Sequence, residues 1–232
     1  MSGIGLLNEK PLHASLKAWY ARPGDRFEVP VGGFVIDIVR GDLLLEIQTG
    51  SFAAIRSKLA KLVESHQVRL IYPIAREKWI VRMAGNRRRA AARRKSPRRG
   101  RIEDVFWNLV SIAQLMSSRN VALEVLLIRE EEARRYAGRR HWRRRGWVVT
   151  ERRLLEVVDR RVFEKPADWL ALLPEGLGPF TARDLAEAMD IRVELAQKMA
   201  YCLRGARLVK LIGRRGRGNL YAVGPDGVGG SG

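Results

Sequence analysis

Asp37 and Glu46 are the residues of this chain best placed to do chemistry, because each interrupts an otherwise apolar run. The first run reads Phe34-Val35-Ile36-Asp37-Ile38-Val39 and the second Leu43-Leu44-Leu45-Glu46-Ile47-Gln48. Gly41-Asp42 between them has the composition of a tight hairpin turn, where glycine supplies the positive φ that primed turns require. A two-residue loop sets Arg40 against Leu43 and, counting inward, Asp37 against Glu46, with Cβ atoms roughly 4.5–5.5 Å apart. Gln48 emerges on the same face as Glu46. Two carboxylates among Val, Ile and Leu repel each other and resist desolvation. A divalent cation offsets both costs, and hard oxygen ligands on neighbouring strands suit Mg²⁺ or Mn²⁺. The competing reading is a solvated strand face that carries two acids. Strands apolar on both faces weigh against it.

The elements that must position this pair follow from periodicity. Asn8 is an expected N-cap, with Pro11 in the first helical turn and Leu12, Leu16 and Trp19 recurring at helical spacing. Glu9 lies seven residues before Leu16, near the same face. Arg26 to Val31 reads as a strand leading through Gly32-Gly33 into the Asp37 strand. Phe52, Ile55, Leu59, Leu62 and Val63 form the stripe of a second helix, whose other face carries Arg56, Lys58 and Lys61 and either meets phosphates or, the favoured reading, is solvated. Val68 to Ile74 and Lys78 to Met83 read as two further strands. Alternating elements of this kind indicate an α/β layer architecture with a mixed sheet.

This arrangement resembles the PD-(D/E)XK nuclease superfamily, the restriction-endonuclease-like fold, over about residues 5–83. In that family an Asp on one strand and a Glu-X-Lys on the next bind metal and activate water. The matching positions are Asp37, Glu46 and Gln48, and the order helix, strand, hairpin, helix, strand matches as well. The resemblance implies that Glu9, in Asn8-Glu9-Lys10-Pro11-Leu12, joins the site from the first helix and holds a metal-bound water or a second metal. It also implies that Gln48 orients the attacking water. Ile36 replaces the usual proline, and Gln48 replaces the lysine, so stabilisation of the hydroxide falls mainly to the metal.

Composition favours a polyanionic partner. The 232 residues carry 44 Lys and Arg against 25 Asp and Glu, a formal net charge of +19. Such an excess makes binding to nucleic acid expected and salt-dependent. Cys202 is the sole cysteine, so no internal disulfide forms and a reducing compartment is expected. The start has no signal-peptide pattern and no run of about 18 apolar residues occurs, so the expectation is a cytoplasmic, nucleoid-associated protein with no membrane partner.

Asn86 to Arg101 holds nine basic residues and no acid, which reads as an exposed, mobile segment. Arg87, Arg88, Arg89, Arg93, Arg94 and Lys95 are its candidate backbone contacts to DNA. Ile102 to Met116 then reads as an amphipathic helix, and Val121 to Ile128 as an apolar strand interrupted by Glu124, either a further acidic ligand or, the favoured reading, a satisfied or edge-facing glutamate. Glu130-Glu131-Glu132 reads as a helix start or its solvated end. A second basic cluster spans 139–145, where Trp142 either stacks on a base or packs inward. Trp147 to Thr150 and Leu154 to Val158 resemble a closing hairpin.

The last part changes character. Pro166 to Leu173 suggests a short helix, and Thr181 with Asp184 has capping-box spacing ahead of a second. Arg192 to Arg204 follows as a third, with Leu195, Ala196, Met199, Cys202 and Leu203 facing inward. Leu208 to Ile212 and Leu220 to Val223 flank the loop Gly213 to Asn219. Three helices and a basic-tipped hairpin resemble a winged-helix domain over about residues 165–224. In that family the third helix reads the major groove and the wing touches backbone or minor groove. The resemblance implies Gln197, Lys198, Tyr201 and Arg204 on the helix, with Arg214, Arg215 and Arg217 on the wing, as DNA contacts. Winged helices also serve as protein-contact modules, though three wing arginines favour DNA.

Other chemistries are thin. His13, His66 and His141 show no zinc-ligand spacing, and Cys202 sits on the inner face of a helix as a structural thiol. The expected organisation is an α/β restriction-endonuclease-like domain at 1–164 with a basic insertion at 86–101, a winged helix at 165–224 and a flexible tail at 225–232. The expected function is a Mg²⁺-dependent DNA endonuclease. The alternative is a non-cleaving DNA-binding regulator that uses the nuclease fold as a platform. Cutting both strands requires two active sites, which a homodimer supplies.

Overall fold

The computed structural model describes residues 10–83, 90–138 and 146–224, and the expected tail at 225–232 lies outside them. The protein is mixed α/β, with a central mixed sheet flanked by helices. Strands β1 (Arg26–Val31), β2 (Phe34–Arg40), β3 (Leu43–Ile47), β4 (Gln67–Met83), β6 (Val121–Tyr136) and β7 (Trp147–Phe163) follow one another across the sheet in that order, and β5 (Ala90–Lys95) pairs with β4. The chain divides into two compact units, each assembled from separated stretches.

One unit comprises Arg26–Tyr72, Ile102–Val125 and Arg161–Gly232. Its sheet begins as an antiparallel meander. Gly32 and Gly33, both at positive φ, turn the chain between Val31 and its partner Phe34. The Gly41-Asp42 turn sets Arg40 opposite Leu43, as the sequence predicts, with Gly41 at φ 56°. β3 then pairs with β4 in parallel, Leu43 to Gln67 through Ile47 to Ile71. Parallel neighbours need a crossover. Here it is a 3-10 turn at Phe52–Ile55 followed by helix α2 (Arg56–Leu62), with Phe52, Leu59 and Leu62 buried.

The expected helix over 102–116 is broken into a 3-10 turn at Ile102–Val105, a short α3 (Phe106–Leu109) and a second 3-10 turn at Ala113–Ser117. Three further helices complete this unit: α4 (Pro166–Leu170), α5 (Ala182–Met189) and α6 (Val193–Gly205). They precede the antiparallel hairpin β8 (Val209–Arg215) and β9 (Gly218–Val223). α6 lies against the 102–117 segment: a Cβ on Gly205 would stand 3.4 Å from Ala113 Cβ, and Lys198 Nζ lies 5.2 Å from the Trp107 ring centroid.

The other unit comprises Met1–Asp25, Pro73–Arg101 and Leu126–Arg160. Helix α1 (Pro11–Tyr20) begins with Pro11 and buries Leu12, Leu16 and Tyr20. Trp19, expected inside, is 46% exposed, because Tyr20 continues the four-residue spacing instead. Three expectations need correction. β4 is one strand, not two, and contains Pro73, just past the last residue paired with β3. Proline is tolerated there because no ladder donor is required. The expected hairpin at 147–158 is a single strand, β7. Glu130, Glu131 and Glu132 lie inside β6, with Glu130 and Glu132 buried.

Those two buried acids survive because cations from neighbouring strands and from β6 itself reach them. Lys78 Nζ lies 2.9 Å from Glu130 and 2.8 Å from Glu132, Arg152 binds Glu130 at 2.6 Å, and Arg134 binds Glu132. Burial pushes the Glu132 carboxyl up, but the Lys78 hydrogen bond and the charges of Lys78 and Arg134 outweigh it and hold the carboxyl below its ordinary range. Among the described residues, no helix is long and apolar enough to cross a membrane.

Candidate functional site

The β2–β3 ladder reaches Ile38 opposite Leu45, and Asp37 and Glu46 occupy the next position on each strand. There the Asp37 side chain takes over from the backbone: its Oδ2 accepts a hydrogen bond from the Ile47 N–H at 2.7 Å. Glu46 is buried, with 7% of its surface exposed, and its Oε1 accepts from Lys58 Nζ at 2.6 Å. The same ammonium donates to the Val35 carbonyl at 2.6 Å. Lys58 thus ties α2 to β2 and β3 at the position of the two acids.

Local sequence explains this reach. Ser51 Oγ accepts from the Ala53 N–H and starts the turn that leads into α2. Leu59 and Leu62 fix the buried face of α2. Lys58 sits beside that face, and its long stem runs over apolar surface while only the ammonium needs polar partners. The expectation of a solvated Lys58 is therefore overturned. Lys58 stands four residues before buried Leu62, so it shares that side of α2 and does not lie on the opposite face assigned to it.

Gln48 serves the turn before α2. Its Nε2 donates to the Ser51 carbonyl at 3.0 Å, its Oε1 accepts from the Gly50 N–H at 3.4 Å, and its own N–H donates to Ile71 at 2.9 Å. Glu9 lies outside the described residues. Glu124 is buried in β6, with Arg69 Nη1 at 3.6 Å, while Arg69 Nη2 binds Glu164 at 2.6 Å. Among the described residues, no group of three or more His, Cys, Asp or Glu is gathered for metal binding. Asp37 and Glu46 are nonetheless a donor set of the right chemistry for Mg²⁺, which keeps several waters and is commonly held by one or two carboxylates.

The basic segment departs from expectation. Arg87, Arg88 and Arg89 lie outside the described residues, as does the 139–145 cluster with Trp142 and His141. From Ala90 to Lys95, however, the chain is strand β5, with Trp79 opposite Lys95 and Val81 opposite Arg93. Arg93 Nε binds Glu131 at 2.8 Å and Lys95 Nζ binds Glu77 at 2.8 Å, and both cations lie over the Trp79 ring. The Lys95 hydrogen bond holds the Glu77 carboxyl below its ordinary range. The segment is ordered here because β4 offers it a ladder, two acids and an indole face. Arg94 points the other way and is exposed.

The C-terminal elements form a second polar surface. Thr181 and Asp184 make the expected capping box, with the Thr181 N–H donating to Asp184 Oδ2 at 2.6 Å and the Asp184 N–H donating to Thr181 Oγ1 at 3.3 Å. Phe180 and Tyr221 exchange backbone hydrogen bonds of 2.9 and 2.8 Å, which stitch β9 to the start of α5. The expected loop is shorter than its composition suggests. Gly213, Arg214 and Arg215 pair with Leu220, Asn219 and Gly218, so only Gly216 and Arg217 remain in the turn. Arg214, Arg217, Gln197, Arg183, Asn219 and Tyr221 line an open cavity of about 680 Å³. Arg215 is bound to Asp184, and Lys198 lies over Trp107, while Tyr201 and Arg204 are exposed on the outer side of α6.

Residues 10–164 match the family described as Domain of unknown function (DUF8091). An uncharacterized protein of Treponema pallidum (strain Nichols) is 28% identical over 230 residues, covering 97% of this chain and 89% of that protein. No solved structure matches the chain.

Proposed function

We propose that this chain, which belongs to the family described as Domain of unknown function (DUF8091), is a metal-dependent DNA endonuclease with a restriction-endonuclease-like sheet and a winged-helix DNA-binding part. The observation that carries the reading is that Asp37 and Glu46 follow the last pair of the β2–β3 ladder, Asp37 bound to the Ile47 N–H and Glu46 to Lys58. The order α1, β1, β2, β3, α2, β4, with β4 parallel to β3, supports it. So do the basic wing and the formal net charge of +19, which suit a phosphate backbone.

A divalent ion bound by Asp37 and Glu46 would generate hydroxide and stabilise charge on the scissile phosphate. The chain's own residues have separate tasks. Asp37 is oriented by the Ile47 N–H, so its carboxylate keeps one direction without a metal. Lys58 supplies the ammonium that the Gln48 position lacks, on a helix instead of the strand, and is anchored by the Val35 carbonyl. Gln48 shapes the 48–51 turn that delivers α2, and with it Lys58. Arg214 and Arg217 face the cavity beside α5 and α6, where they would hold DNA backbone.

The second reading, a non-cleaving DNA-binding regulator, is favoured by the same ion pair, since Lys58 neutralises Glu46 without any metal. Incubation with plasmid, junction and flap DNAs, with Mg²⁺, Mn²⁺ or chelator, separates the two. Metal-dependent cleavage that Lys58→Met and Asp37→Asn both abolish, with DNA affinity kept, is expected. Absence of metal-dependent cleavage of every DNA form, with no metal-induced rise in melting temperature, leaves the regulator.

A further inference from the structure

Among the described residues β7 ends the strand order of the sheet, so one side of its backbone is an edge there. An open edge is a template for pairing with another chain unless proline, a bulge or charge blunts it. β7 contains no proline, its charges (Glu151, Arg152, Arg153, Glu156, Asp159, Arg160 and Arg161) are of both signs and so can pair across such an edge, and Leu155 and Val158 are 47% and 43% exposed. Val158 also lines, with Trp19, an open cavity of about 500 Å³ that runs beside Val157–Arg160. Apolar side chains are therefore exposed on both faces of this edge strand.

The order of side chains decides what fits it. Arg153, Leu155, Val157 and Asp159 share one face by the two-residue period of a strand. A second copy joined antiparallel, edge to edge, is related by a twofold axis perpendicular to the sheet. Opposed residues then lie on the same face, so the axis must pass through a residue position. With the axis at Glu156, Arg153 opposes Asp159 and Leu155 opposes Val157, each twice, while Leu154 opposes Val158 on the other face. An axis at Leu155 would instead set Glu151 against Asp159. An axis at Val157 would set Leu155 against Asp159. In the Glu156 register, Glu156 meets its own copy but already carries Arg129, and Arg152, opposite Arg160, is bound to the buried Glu130.

We propose that β7 is a homodimer edge, pairing antiparallel with β7 of a second copy about Glu156, with Arg153 and Asp159 as its reciprocal ion pairs. Within one chain Arg153 is bound to Glu151, and dimerisation adds the partner's Asp159 to that carboxylate. The assignment stands apart from the nuclease reading, because it rests on the strand alone.

Sedimentation equilibrium and native mass spectrometry of the full chain test it. The parent is expected at twice 26.3 kDa. Arg153→Asp and Asp159→Arg each oppose like charges across the axis and are expected to be monomeric. An equal mixture of the two restores both attractions and is expected to give a heterodimer, and the double variant a homodimer. A monomeric parent, a dimer untouched by either substitution, or a mixture that stays monomeric would overturn the assignment. Should a single variant fail to fold, the double variant still decides: dimer supports the register and monomer rejects it.

Discussion

Lys58 Nζ of α2 lies 2.6 Å from Glu46 Oε1 of β3, so the acid that the sequence marks for metal is held by a lysine of the following helix. Only 15% of the lysine side chain and 9% of the glutamate side chain are exposed, so this is a mostly buried pair. Removing one partner of such a pair costs more than replacing both, because it strands a charge.

Lys58→Met should therefore lower unfolding stability by about 3 kcal/mol, whereas Lys58→Met with Glu46→Leu should recover most of it. Urea unfolding of the metal-free protein measures both. Glu46→Gln should also destabilise, since Lys58 loses its counter-charge. That is opposite in sign to the relief expected if Asp37 were the only charge near Glu46.

The arginines of the β8–β9 hairpin should not behave alike. Arg214→Ala and Arg217→Ala should each reduce the slope of log affinity against log salt by about 0.9 for every phosphate that is no longer neutralised. Arg215 is committed to Asp184, so Arg215→Ala should change that slope least. Fluorescence anisotropy with duplex DNA over a salt series reads the three slopes. Equal slopes for all three variants would show that Arg215 leaves Asp184 on binding.

The Glu132 carboxyl is held below its ordinary range by Lys78 and Arg134. A carboxyl lowered in the folded state contributes stability that is fully present above its unfolded value. That contribution is lost as pH falls through the folded value. Stability should thus hold near neutrality and drop as pH falls below about 4. Denaturant midpoints from neutral to acid should show a shallower acid decline in Glu132→Gln than in the parent.

Burial pushes the Cys202 thiol up to about 12, so thiolate is scarce at neutral pH. Native protein should resist a thiol-exchange reagent, and denatured protein should react at once with one equivalent. Rapid native labelling would mean that α6 opens locally.

The hairpin was legible because its signal is local. Gly41-Asp42 fixes the turn, and the turn fixes which residues face each other. The capping box at Thr181 and Asp184 was legible for the same reason. What escaped depends on partners distant in sequence. Glu130 and Glu132 look like a solvated acid run until Lys78 and Arg152 arrive from other strands. Arg93 and Lys95 look like a loose basic arm until Trp79, Glu77 and Glu131 meet them. β4 was divided by its charged Arg76-Glu77 stretch, yet Glu77 is one of the acids that bind β5.

Each compact unit is woven from three separated stretches of chain, and this shapes the order in which the protein can be made. The unit that holds Asp37 and Glu46 also needs Arg161–Gly232, which leaves the ribosome well after the hairpin that carries the two acids. Until then the apolar β2 and β3 segments wait without the residues that complete their unit, a state in which exposed strands associate wrongly. Slowing synthesis does not help such a chain, since its early strands are completed by much later helices. A chaperone that shields β2 and β3 during translation would help, and yield of native protein should depend on it.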